Sequence, residues 1–308
     1  MKFRKLVTAL LGAIALPSMA AAAPAASAPA ATAAALPDVD PALWVVKDKD
    51  TTVYLFGTVH GLDGKSDWFN DEVKTAFDKS GEVYLEAILP DNPAELQPMM
   101  MKLGMDQSGK TLGSKLTPEI KTKFEKVGTE LGLPPAAVLG SPMEPWMLNL
   151  TIGAVAAMKA GLNPEFGADK HILKHARAAG KKVGELAGDE WQFNLFDKVP
   201  EELQIKQLGQ TLDQMPQFKP MLASMIDHWN KGDSEGLGKL LNQGAEQMPE
   251  FYKMLLTDRN ATWAEWINKR MDQPGTVFLA VGAGHLAGNG SVQDMLAKKG
   301  FKAERVKQ

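Results

Sequence analysis

Apolar positions follow a two-residue or continuous pattern near both ends of the chain and a helical pattern between them. Leu43 to Val46 and Thr51 to Phe56 are β-branched and aromatic runs separated by Lys47-Asp48-Lys49-Asp50, which predicts a hairpin. Gly57 closes the second strand. After the Asp63-Gly64 turn, Phe69, Val73 and Phe77 recur every four residues, giving an amphipathic helix that stops near Gly81. Val83-Tyr84-Leu85 reads as a short buried strand with Glu86 at its end. Thr117-Pro118-Glu119 is a helix start with proline in the first turn, and Pro145 to Lys159, Asp169 to Ala179, Glu201 to Met225 and Lys253 to Met271 read as further helices. Gly180 to Leu186 returns to the sheet between them. Thr276 to Val281 is a continuous apolar strand bounded by Pro274-Gly275 and Gly282. Ser291-Val292-Gln293-Asp294 has the form of a capping box, opening a helix that ends at Gly300, and Phe301 to Val306 closes as a strand. Strands at both ends with helices between them imply an α/β fold: a central mixed sheet flanked by helices, carrying a helical insertion.

The first residues stand apart from this pattern. A basic start at Lys2, Arg4 and Lys5, an apolar run from Leu6 to Leu16 and small residues near Ala20 to Ala22 read as a cleaved secretory signal over residues 1–22. Ala, Pro, Ser and Thr dominate residues 23–38, a composition that cannot bury a core and reads as a tether; the folded domain is expected over 39–308. The expected location is therefore the periplasm, with no membrane span after signal cleavage, because the apolar run is too short to cross a bilayer. Loss of the signal moves the formal charge from -3 to about -6, which argues against a nucleic-acid partner. The absence of cysteine excludes disulfides, a thiol nucleophile and thiolate-held metals.

The chemistry concentrates where two strands end alike. Thr52-Val53-Tyr54-Leu55-Phe56-Gly57-Thr58-Val59-His60 and Thr276-Val277-Phe278-Leu279-Ala280-Val281-Gly282-Ala283-Gly284-His285 are both apolar strands that break at glycine and carry histidine three residues later. Ligands of open α/β sheets bind outside the carboxyl ends of strands, and Glu86 leaves its own strand at the corresponding place. Were the three strands parallel and adjacent, His60, Glu86 and His285 would meet at one edge. Two imidazoles and a carboxylate are a sufficient ligand set for a divalent ion such as Zn, Mn, Fe or Co, which would activate water and polarise a carbonyl.

Several segments carry a family resemblance: Leu55 to His60, Tyr84-Leu85-Glu86, Met143-Glu144-Pro145-Trp146, Phe166-Gly167-Ala168-Asp169, Arg259-Asn260-Ala261-Thr262-Trp263 and Val281 to Gly288. Over about Trp44 to Val306 the chain resembles the TraB/GumN family, which is related to the Tiki metalloproteases and more remotely to erythromycin esterase and ChaN-like proteins. The resemblance implies an α/β core with two G-x-x-H motifs and a glutamate as its centre, and it places Arg259 near that centre. In the Tiki branch such a centre supports metal-dependent proteolysis; in the esterase branch a histidine is thought to act as base.

Other residues admit plainer readings. Arg259 could clamp a substrate carboxylate or an oxyanion, or be an ordinary helix charge. Asp169 stands where a helix would begin, so N-capping accounts for it, with a site contact as the alternative. Glu185 could orient a ligating histidine. His171 and His175 have i, i+4 ligand spacing but lack the glutamate of H-E-x-x-H, which disfavours a second metal site. Met99, Met100, Met101 and Met105 suit an irregular core or an adaptable groove. The expected function is a metal-dependent, peptidase-like hydrolase of a peptide or small molecule, with His60, Glu86 and His285 on the metal, Glu86 as ligand or base, and Arg259 on the substrate. A metal-free histidine-dependent esterase and a non-catalytic envelope or polysaccharide-associated binding factor are the alternatives.

Overall fold

A computed structural model describes residues 35–245 and 248–307; the expected signal lies outside the described residues. Six strands form one sheet, β1 (Leu43–Lys47), β2 (Thr51–Thr58), β3 (Glu82–Leu85), β4 (Lys182–Glu185), β5 (Gly275–Gly282) and β6 (Glu304–Arg305), in the order β4-β3-β5-β2-β1-β6. The hairpin β1-β2 is antiparallel, with Leu43 opposite Phe56. β5 lies between β3 and β2 and is parallel to both, with Leu55 beside Leu279 and Leu85 beside Ala280. The strands bearing Glu86, His285 and His60 are thus neighbours running the same way, and the three residues leave the sheet at one end. The chain joins the fold slightly before the expected boundary: the Asp67 amide donates to the Pro37 carbonyl at 2.8 Å. The closing strand is shorter than expected, Glu304–Arg305, with the Val306 amide donating to the Leu43 carbonyl of β1 at 2.9 Å.

Side-chain alternation sends the two faces of the sheet into separate cores. Phe56, Val83, Leu85 and Phe278 pack against α1 (Asp71–Lys79) and the later α7 (Ala168–Ala178). Val53, Leu55, Val277, Leu279 and Val281 face α12 (Asp258–Arg270) and α13 (Val292–Ala297) instead.

Between β3 and β5 the helical insertion begins with α2 (Gln97–Leu103), α3 (Leu112–Lys115), α4 (Pro118–Leu131), α5 (Pro135–Gly140) and α6 (Pro145–Lys159). Thr117 caps α4 by accepting from the Ile120 amide. α7 (Ala168–Ala178) precedes β4, and α8 (Asp189–Asp197), α9 (Glu201–Asn230) and α10 (Ser234–Ala245) follow it. After α11 (Pro249–Tyr252) comes a π-helical turn, Lys253–Thr257, and then α12 (Asp258–Arg270); α13 (Val292–Ala297) lies between β5 and β6. The expected helix starting at Lys253 thus opens with a wider turn. α9 runs past Met225 to Asn230 despite Pro216 and Pro220 within it. Its far end is pinned over the sheet, where the Trp229 indole donates to the Gly57 carbonyl at 2.7 Å.

The methionines of α2 belong to a core. Met99 and Met100 pack with Leu103, Trp146 and Phe251, whereas Met101 is exposed. α10 is seated backbone to backbone on the segment after β5: a Cβ on Gly238 would stand 2.5 Å from the Gly288 nitrogen. Gly238→Ala is therefore expected to lower stability by about 1–3 kcal/mol, as overpacking does, measured by urea denaturation. Among the described residues no helix is long and apolar enough to cross a membrane.

Candidate functional site

Glu86 is the first residue beyond β3, and its amide still donates to the Ala280 carbonyl of β5, so the side chain is aimed by the sheet itself. Both carboxylate oxygens are engaged. Oε1 accepts from Arg259 Nη2 at 2.6 Å and from Gln192 Nε2 at 2.9 Å. Oε2 accepts from the Gly282 amide at 3.0 Å. A Cβ at Gly282 would crowd the carboxylate, standing 3.2 Å from Oε2. Burial pushes the Glu86 pKa up, but Arg259 first, then His285 and His60, outweigh it and hold the carboxyl well below the usual range.

His285 sits on the short turn after β5, 4 % exposed. Its Nδ1 lies 2.6 Å from Asn260 Oδ1, and the Asn260 amide nitrogen donates to the Gly290 carbonyl at 2.7 Å. Because the amide must face its donor end toward Gly290, Oδ1 faces His285, and Nδ1 carries the proton. Nε2 is then a lone-pair acceptor, 3.4 Å from Arg259 Nη1 and 3.7 Å from Glu86 Oε2. Burial lowers the His285 pKa to about 3, against the opposing pull of Glu86. His285 is expected to remain the neutral Nδ1–H tautomer down to pH 4, readable in the nitrogen shifts of its ring by NMR. Trp263 packs against this ring at 4.3 Å between centroids, tilted by 47°, and lies under the Arg259 guanidinium at 4.7 Å.

His60 differs from the other three. Its side chain is 35 % exposed, and Nδ1 lies 3.3 Å from Asp169 Oδ2. No partner for Nε2 is present among the described residues, and the ring borders the same cavity as Glu86, Arg259 and His285. Burial lowers its pKa, yet Asp169 and then Glu86 reverse this and raise it to about 9. That raised value stabilises the fold fully below about pH 6.5, and the contribution is lost as pH rises through about 9. Since a third of the ring meets solvent, water screens part of the effect.

The three expected metal-binding residues converge on one cavity without forming a ligand cage. Among the described residues no group of three histidines or carboxylates is placed to hold an ion. Arg259 occupies the ground between Glu86 and His285, donating to the first and facing the second, and a guanidinium there opposes a divalent cation. The donor set in this arrangement therefore does not fit a metal. Glu86, with its oxygens taken and its basicity depressed, is a poor general base.

Asp169 lies in the first turn of α7, whose cap position is Gly167; its contact is with the site. Glu185 Oε2 accepts from the Ile88 amide at 2.8 Å and supports a loop. His171 and His175 stack on each other at 4.0 Å beside Trp68 and Phe69, and burial lowers the His171 pKa to about 4. Gln192 and the partner role of Asn260 escaped the sequence reading. Asn260 stands beside Arg259 in the recognised motif, but nothing near Gln192 in sequence signals its contact with Glu86.

The chain matches the sequence pattern of the TraB/PrgY/gumN family over residues 42–305. It belongs to that family. Relatives include YbaP of Escherichia coli (strain K12), an uncharacterised protein 28 % identical over 60 % of this chain and 67 % of its own length. Metalloprotease TIKI1 of Danio rerio is 26 % identical over 87 % of this chain and 64 % of its own length. An uncharacterised protein of Treponema pallidum (strain Nichols) is 22 % identical over 83 % and 80 %. No solved structure matches. Membership in the TraB/PrgY/gumN family, with distant similarity to Tiki metalloproteases, is consistent with a hydrolase.

Proposed function

We propose that this protein is a hydrolase of carboxylic esters or amides in which His60 moves the proton of the attacking water. The observation that carries this is the His60–Asp169 pair at the cavity wall: Nδ1 is directed at a carboxylate, which fixes the tautomer and leaves Nε2 for the substrate side. Water would lose a proton to Nε2 while its oxygen bonds to the carbonyl carbon. The same proton then passes to the leaving alkoxide or amine as the carbon–heteroatom bond breaks. Glu86 supplies negative charge that strengthens His60 as a base, and Arg259, Gln192 and Gly282 keep that charge in place. His285, held neutral by burial and by Asn260, supports Arg259 from behind.

A metal-dependent version is favoured by one observation, the name metalloprotease borne by the Tiki relatives. It requires Arg259 to leave Glu86 and His285 before either could bind an ion. We further propose export to the periplasm, on the strength of the leader over residues 1–22; N-terminal sequencing of fractionated protein checks it.

The test uses the full-length exported protein against short chromogenic esters and amides. Wild type is expected to turn over one class, with a loss of about 10²–10⁴-fold in His60→Ala and no loss after chelation. Unchanged turnover in His60→Ala would end the proposal. Loss on chelation with stoichiometric metal in the purified protein would select the metal-dependent version.

A further inference from the structure

The cavity is divided in its chemistry. Its polar groups, Thr58, His60, Glu86, Gln192, Arg259 and His285, come from the strand ends and from α8 and α12. The rest of its wall is hydrocarbon: Ala154 and Ala157 of α6, Leu222 and Ile226 of α9, Leu241 of α10 and Leu255 of the π-helical turn are among the residues facing it. α6, α9 and α10 place no charged or amide side chain on this wall among the described residues. Ala154, Ala157 and Ile226 are only half-buried, so their remaining surface meets the cavity. The volume is about 180 Å³, room for on the order of ten water-sized groups.

An extended peptide laid along such a wall would bury amide N–H and C=O groups with nothing to pair them, at a penalty for each. A hydrocarbon chain has no such groups and gains from the same burial. Resting on the hydrolase reading, we infer that the substrate is an acyl ester or acyl amide. Its single apolar chain lies between α6, α9 and the π-helical turn, and its carbonyl reaches His60. Hydrolysis then releases a carboxylic acid of medium chain length and an alcohol or amine, with water as the only co-reactant.

The experiment has two arms on the full-length protein. In the first, kcat/KM is measured on 4-nitrophenyl esters from acetate to dodecanoate. It is expected to rise by up to roughly fourfold per methylene, to peak near eight carbons, and to fall beyond. Ala157→Leu and Ala154→Leu, checked for native circular dichroism, are each expected to move the peak to shorter chains. In the second arm, cis-parinaric acid is titrated by fluorescence against wild type and the same variants. Wild type is expected to bind it, with affinity reduced at least fivefold in the variants. Turnover of short esters with no chain-length dependence and no parinaric acid binding would overturn this inference and leave the hydrolase reading standing. Parinaric acid binding that the variants weaken, with no ester or amide turned over, would support the acyl cavity and defeat the hydrolase reading.

Discussion

Arg259→Met is expected to lower stability at pH 7 by about 3–5 kcal/mol, as removal of one partner from a buried ion pair does. Arg259 and Glu86 are 6 % and 8 % exposed, so water from the cavity would replace the guanidinium only in part. Gln192 and the Gly282 amide would still donate to it, and neither carries charge. The pH dependence distinguishes this cause from simple loss of packing. In wild type the Glu86 pKa is depressed, so its contribution is present above the ordinary value of 4.5 and is lost as pH falls through the lower folded value. In the variant burial acts without its main opponent, and protonation relieves the penalty. The stability gap between the two proteins should therefore narrow as pH falls toward 4, followed by urea denaturation at a series of pH values. A gap constant across that range would mean that Arg259 matters for its packing on Trp263 and not for its charge. Adding Glu86→Leu to the variant should restore part of the loss, because no buried charge then remains.

The sheet was readable because its strands are marked by composition. Thr276 to Val281 reads as a buried strand because glycines bound it on both sides, and the matched G-x-x-H units said which ends would carry the chemistry. Whether Glu86 would join them depended on strand order, which side-chain patterns do not encode; β5 lies between β2 and β3 because both its faces are apolar enough for the centre of the sheet. The contents of the site were less legible than its place. A ligand set of two histidines and a glutamate ignores Arg259, whose side chain comes from a helix 173 residues away in sequence from Glu86. Residue type alone cannot distinguish a guanidinium that contacts substrate from one that neutralises a carboxylate. Asp169 illustrates the same limit: its position near a helix start fits an N-cap, and only the three-dimensional packing of α7 against the loop after β2 brings it to His60.

Asp169→Asn is expected to shift the pH dependence of kcat/KM and to reduce its maximum by about 10²–10⁴-fold. As a base His60 must be unprotonated, so wild-type activity should rise with pH along a limb set by a value raised to about 9. The Asp169 carboxylate is the chief raising influence; without it, burial and the Arg259 charge act to lower the value, with only Glu86 opposing. The limb should then move to lower pH, and the variant should reach its own plateau in a range where wild type is still climbing. The plateau itself falls because an amide can accept at Nδ1 or donate to it, so the imidazole is no longer held in one tautomer. Glu86→Gln should move the limb the same way by a smaller step, since Glu86 is the weaker of the two raising influences. A limb that stays in place in Asp169→Asn would show that the group titrating in catalysis is not His60, whatever the loss in rate. A limb that moves without loss of plateau would leave His60 as the base and reduce Asp169 to an electrostatic role.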